Sequence, residues 1–238
     1  MANLEPLIQS IPVAPLKLAS LEGCRTLADQ VNNYLVSFRH ESPTNVGQAD
    51  SLQGYCADSY LLECECPRFG SGEGKGVLKE SVRGCDLFIM VDVTNYSLTY
   101  RVNGYENHMS PDNHYQDLKR IISAADGKAR RINVIMPFLY EGRQHKRSKR
   151  ESLDCALMLQ ELVDMGVSNI LTFDAHDPRV SNSIPLHGFD SFMPTYQFLK
   201  ALVNSVPDFV IDNDHLMIIS PDEGAMGRAV YFSNILGV

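Results

Sequence analysis

The run LFIMV, residues 87–91, is apolar at every position and no longer than a single strand. So short a run without polar alternation is expected to be buried on both faces, as the strands of parallel sheets are. Three more runs of strand length are rich in apolar residues: INVIM at 132–136, NILTF at 169–173 and LMII at 216–219. Between them lie segments with helical spacing. Tyr115, Leu118, Ile122 and Ala125 mark an apolar stripe closed by Gly127. Ser148 and Glu151 have capping-box spacing ahead of the run 153–159, and Gly166 stands where a C-terminal glycine belongs. Residues 195–203 and 227–236 are two further helix candidates. Strand alternating with helix predicts an α/β fold, a mainly parallel sheet with helices on both faces.

Residues 1–18 read as an N-terminal arm, 19–210 as the main domain, and 211–238 as the opening of a second domain cut near its start. The arm has no basic residues ahead of its apolar part and is broken by Pro6, Pro12 and Pro15. That is a poor signal peptide, so the cytoplasm is the expected location. There the six cysteines would be reduced thiols. Cys64-Glu65-Cys66 has half the look of a metal site, but no second Cys/His pair of zinc-like spacing follows.

A formal net charge of −8 argues against general binding to nucleic acid or anionic membranes. Against that background, five of the 21 Lys and Arg crowd into residues 143–150: Arg143, Lys146, Arg147, Lys149 and Arg150. Ligands of open parallel sheets bind at the carboxyl ends of strands, and three polar segments follow expected strands.

Arg143-Gln144-His145-Lys146-Arg147 offers a guanidinium fork for phosphate and an amide able to read a base edge, although charge runs are commonly solvated loops. Phe173-Asp174-Ala175-His176-Asp177 offers imidazole and carboxylates for a divalent ion or its waters, although Asp-Pro is also turn chemistry. Ser220-Pro221-Asp222-Glu223-Gly224 presents carboxylates at a helix start, where capping is the plain alternative. A fourth segment, Arg68-Phe69-Gly70-Ser71-Gly72-Glu73-Gly74-Lys75-Gly76, is glycine-rich but lacks Walker-loop spacing. It suits a flexible loop with one aromatic available to stack on a base.

Together these segments resemble the ribose-phosphate pyrophosphokinases, in a longer, divergent bacterial branch. The family pattern R-F-x-D-G-E is similar to residues 68–73, and E-S-V-R-G-x-D-x-F-I is met at every position by Glu80 to Ile89. Y-A-R-Q-D-R-K resembles residues 141–147, T-M-D-L-H-A resembles 172–177, and S-P-D-x-G-G resembles 220–225. The resemblance implies two related phosphoribosyltransferase-like domains, assembled as dimers within hexamers. It implies transfer of the diphosphoryl group of ATP to the 1-hydroxyl of ribose 5-phosphate, with Mg²⁺ as cofactor. Carried over by motif, Phe69 would stack on adenine and Glu73 help hold it, both reaching from a neighbouring subunit. Arg143, Gln144 and His176 would contact the nucleotide, and His176 and Asp222 would bind Mg²⁺.

Three departures stand out: Ser71 for an acidic residue, His145 for aspartate, and Asp177 for a small residue. The family's Lys-Arg strand and its D-D-x-x-x-[ST]-G-[ST] loop have no match here, which implies an incomplete, inactive fragment. A non-catalytic regulatory subunit of the same fold is the alternative. A phosphoribosyltransferase would need that same missing loop.

Overall fold

The computed structural model of the chain describes residues 14–41 and 54–238. It divides into two compact units, the first ending at Phe192 and the second spanning Met193–Val238.

In the first unit, six strands form one sheet in the order β10-β9-β8-β5-β1-β2, and every pairing is parallel. The strands are β1 (Leu16–Ser20), β2 (Leu61–Leu62), β5 (Asp86–Met90), β8 (Arg131–Ile135), β9 (Val167–Phe173) and β10 (Gly188–Phe192). β5, β8 and β9 are the runs expected from sequence. The expected arm is corrected at its end, because Leu16–Ser20 form β1 between β2 and β5; residues 1–13 lie outside the described residues.

Alternation along β5 explains why it is apolar throughout. Leu87, Ile89 and Val91 pack with Leu118, Ile121 and Ile122 of α2 (Pro111–Ala124) and Met158, Leu159 and Leu162 of α3 (Asp154–Asp164). Met90 and Phe88 turn the other way, toward Ala28 and Val31 of α1 (Arg25–Glu41). Helices therefore cover both faces, as a parallel sheet requires.

Ser110 caps α2 by accepting from the Asn113 N–H at 3.2 Å. Gly166, at φ +90°, ends α3. The capping box expected at Ser148 is corrected. Glu151 does accept from the Ser148 N–H at 3.2 Å, but α3 starts only at Asp154, so the exchange closes a turn ahead of the helix.

Two small antiparallel pairs flank the sheet: β3 (Cys64–Glu65) with β4 (Val77–Leu78), and β6 (Thr99–Val102) with β7 (Tyr105–His108). In the second unit, α4 (Thr195–Ser205) and α5 (Met226–Leu236) form where helices were expected. The strand expected at 216–219 does not form. A strand needs a partner ladder, and here the Leu216 N–H is drawn into a turn, donating to the Asp212 carbonyl at 3.0 Å. Among the described residues, no helix is long and apolar enough to cross a membrane.

Candidate active site

Because β8 and β9 are adjacent and parallel, their following loops leave the sheet at the same edge. Each loop carries a non-glycine residue forced to positive φ: Glu141 at 54° after β8 and Asp174 at 41° after β9. Such conformations are held only where surroundings over-determine them.

The two loops touch. The ring of His145 lies 5.0 Å from that of His176, centroid to centroid and tilted by 51°. His145 Nε2 is 3.6 Å from an oxygen of Asp177. Two of the three departures from the family pattern therefore face each other, and the carboxylate sits beside His176 instead of two residues beyond Arg143. Arg179 donates to Asp177 through Nε at 2.9 Å and Nη2 at 2.6 Å, and through its N–H at 2.9 Å. Those bonds, aided by His145, hold the Asp177 carboxyl well below the usual carboxylate range.

Arg143 is exposed, with its guanidinium carbon 5.8 Å from the centre of the Phe138 ring. Lys146, Arg147, Lys149 and Arg150 are exposed as well. Gln144 departs from expectation in its side chain: the amide donates to the Ser152 carbonyl at 2.8 Å and closes the basic loop on itself. Beside Arg143 lies a cleft of about 360 Å³ walled by Tyr96, Phe138 and Tyr140. Tyr140 donates to Asp112 at 2.6 Å, while burial, then Asp154 and Asp112, push the Glu141 carboxyl upward. The aromatic wall was not anticipated from sequence.

Phe69 and Glu73 lie on the loop joining β3 to β4, and the structure ties that loop to α2. Arg68 forks onto Asp117 at 2.7 and 2.8 Å. Phe69 is 54% exposed, free to stack on a flat ligand. Ser71, the third departure, donates to Glu73 at 2.7 Å and so orients the carboxylate that an acidic neighbour would repel. Asp222 belongs to the second unit, where it accepts from the Ala225 N–H at 2.9 Å and closes a turn ahead of α5.

Among the described residues, no group of three or more His, Cys, Asp or Glu is arranged to hold a metal ion. Mg²⁺ commonly takes one or two protein ligands, keeps several waters and completes its shell with substrate phosphates. The exposed His176 imidazole fits such a partial set. The Cys64 and Cys66 thiols do not, since burial pushes them up to about 11 and about 12.

Residues 16–166 match the family profile described as the N-terminal domain of ribose phosphate pyrophosphokinase. A ribose-phosphate pyrophosphokinase of Staphylococcus epidermidis is 28% identical over 180 residues, 74% of this chain and 50% of that protein. One from Corynebacterium ammoniagenes is 27% identical over 220 residues, 90% of this chain and 55% of that protein. The chain thus spans about half the length of these curated relatives. In fold it is similar to a phosphoribosylpyrophosphate synthetase from Mycobacterium smegmatis, with a TM-score of 0.67 at 23% identity, covering 93% of this chain and 61% of that one.

Proposed function

This chain belongs to the ribose-phosphate pyrophosphokinase family, and from that premise we propose that it binds ATP and serves diphosphoryl transfer to the 1-hydroxyl of ribose 5-phosphate. The observation that carries the reading is the contact between the two loops, His145 against His176 at 5.0 Å, with the basic cluster on one of them. One mouth of the sheet then offers cations for the polyphosphate and an imidazole for Mg²⁺ or its waters.

In the reaction, the 1-hydroxyl oxygen attacks the β-phosphorus in line. The bond from that phosphorus to the oxygen bridging it to the α-phosphorus breaks, AMP leaves with that oxygen, and the hydroxyl proton is released to solvent. Protein contributes little covalent chemistry to such a transfer; positioning and charge stabilisation supply most of the acceleration. Arg143 binds phosphate oxygens, its guanidinium held near Phe138. Gln144 acts mainly by holding the basic loop closed through Ser152, leaving nucleotide contact to its remaining amide capacity. Mg²⁺, when bound, neutralises charge across the phosphate oxygens. His176 would hold it, directly or through its waters. Phe69 stacks on adenine and Glu73 assists, reaching into the site of a second copy in a homo-oligomer built from dimers.

Ligand bound only by the native state raises the melting midpoint. Millimolar ATP with Mg²⁺ is therefore expected to raise the midpoint of this chain, and Arg143→Ala to abolish the rise. An unchanged midpoint with ATP removes the nucleotide reading. If Phe69 serves a neighbour, nucleotide affinity falls on dilution to monomer; equal affinity in monomer and oligomer removes that part.

A further inference from the structure

The β6–β7 hairpin has no role in the reading above, although it is stiffly built. Its turn, Asn103-Gly104, has φ of 50° and 85°, the two-residue geometry that matches strand twist. Thr99 donates to Glu106 across the strands at 2.8 Å. At the base, the His108 and Tyr96 rings stack at 4.5 Å, and His108 Nδ1 donates to the Tyr96 carbonyl at 2.9 Å. All of β7 is exposed, so this hairpin is not kept in place by a core of its own.

What the hairpin touches is the loop that carries Phe69 and Glu73. The Arg68 guanidinium, forked onto Asp117 below, lies 5.3 Å from the centre of the Tyr100 ring. Gly72, at φ +92°, approaches Val102 so closely that a Cβ there would fall 2.9 Å from Val102 Cγ2. The Asn103 N–H donates to the Gly70 carbonyl at 3.3 Å. Three points of the loop, on both sides of Phe69, therefore meet three residues of the hairpin. Between hairpin, β3 and α2 remains a cavity of about 370 Å³, so the brace bears on the loop at points and does not form part of a continuous core.

We propose that the β6–β7 hairpin is a brace that sets the position of the Phe69–Glu73 loop, with Tyr100 and Val102 as positioning residues for base stacking; the stacking role itself rests on the function proposed above. The loop's base is fixed from below by Asp117 and its glycine-rich tip from above by the hairpin. A stacking aromatic held ready loses less freedom on binding than one on a free glycine-rich loop.

The chain contains no tryptophan, so Phe69→Trp introduces a single indole reporter. In that background we compare Tyr100→Ala with Val102→Ala combined, Tyr100→Phe alone, and the otherwise unchanged hairpin. Without nucleotide, the double variant is expected to lower indole anisotropy and raise acrylamide quenching, while Tyr100→Phe, which keeps a ring beneath Arg68, preserves both values. With ATP and Mg²⁺, the double variant is expected to weaken binding roughly fivefold through lost preorganisation. Melting midpoints followed by far-ultraviolet circular dichroism check that the sheet is intact. Identical anisotropy and quenching in all three proteins overturn the brace. An indole ordered by the hairpin but unresponsive to ATP retains the brace and removes the stacking role.

Discussion

The side-chain amide of Asn169 on β9 donates to the side-chain oxygen of Asn133 on β8 at 2.6 Å, with the two residues in register. Asn133 in turn donates to Asp86 on β5 at 2.8 Å, and Asp86 accepts the Arg131 guanidinium through Nε at 2.9 Å and Nη2 at 2.5 Å. A polar ladder therefore crosses three parallel strands on the face opposite α2 and α3. Asn133 is 1% exposed, so each member depends on the others to meet its hydrogen-bonding needs.

Asn133→Leu keeps the volume but leaves Asp86 and Asn169 short of a partner each. The expected loss is about 2–4 kcal/mol, mostly from groups left unpaired in the interior. A fall in the urea midpoint at unchanged slope checks it. An unchanged midpoint would show that the ladder contributes nothing.

At the end of that ladder stands Gly188, opposite Asn169 on β10, where an added Cβ would come within 2.1 Å of Asn169 Oδ1. Gly188→Ala is expected to cost about 1–3 kcal/mol by overpacking. Adding Asn169→Ala removes the clash, so the double variant should be more stable than the two separate losses predict. Strict additivity in denaturant melts would contradict this.

Asp117 is 4% exposed and serves two cations, Arg68 through a fork and Arg120 at 2.6 Å. Asp117→Asn leaves both guanidinium groups beside a neutral amide in a half-buried setting. The expected cost is on the order of 3 kcal/mol, in the range for breaking a buried pair from one side. Because Arg68 roots the Phe69 loop, proteolytic cleavage within residues 69–75 should also speed up. Native-like resistance there would mean that the loop does not depend on its root.

Sequence order made the central strands legible, because β5, β8 and β9 are buried on two sides and so carry short, mainly apolar runs, interrupted where Asn133, Asn169 and Thr172 stand. β1 was not legible as a strand. Its LKLAS places Lys17 second among five residues, and that side chain escapes to pair with Glu80 at 2.9 Å. The hairpin hid for the opposite reason: exposed strands need no apolar pattern, and only Asn-Gly between TYRV and YENH marks it. At 216–219 an apolar run misled, since composition cannot supply a pairing partner. The placement of Arg143 and His176 on loops at one edge of the sheet was legible, because each follows a recognisable strand. The contact of His145 with Asp177 and the rooting of Arg68 in Asp117 join residues 32 and 49 positions apart, distances over which local pattern carries no information.

Burial raises the Cys24, Cys64 and Cys155 thiols to about 11 and Cys66 to about 12, from an ordinary value of 9.0. Below pH 9 these thiols are protonated in both folded and unfolded chains, and their contribution is fully present. Between pH 9 and 11 the unfolded chain gives up protons that the folded one retains, so stability falls as pH rises. The urea midpoint should hold from pH 7 to 8.5 and decline above 9, with Cys155→Ala showing a shallower decline. Buried Tyr115, raised by burial and by its bond to Glu161, adds to the slope at still higher pH. A midpoint flat to pH 11 would be inconsistent with these shifts.

Under the proposed function, the five cations of residues 143–150 should not weigh equally in ATP binding. All are exposed, where a charge pair gains no more than about 1 kcal/mol and salt screens it. Lys149 and Arg150 act only through that general attraction, so Lys149→Ala with Arg150→Ala should weaken ATP binding a few-fold at low salt and hardly at all at high salt. Arg143 differs in two respects. Phe138 limits the freedom its guanidinium must give up, and its loop is bound to the Asp174–Asp177 loop through His145. Arg143→Ala should therefore cost at least tenfold, about 1.4 kcal/mol, a loss that persists at high salt. Calorimetric titration with ATP at two ionic strengths separates the cases. Equal losses from the two variants, both erased by salt, would reduce the basic segment to a diffuse positive patch and leave Arg143 without a specific role.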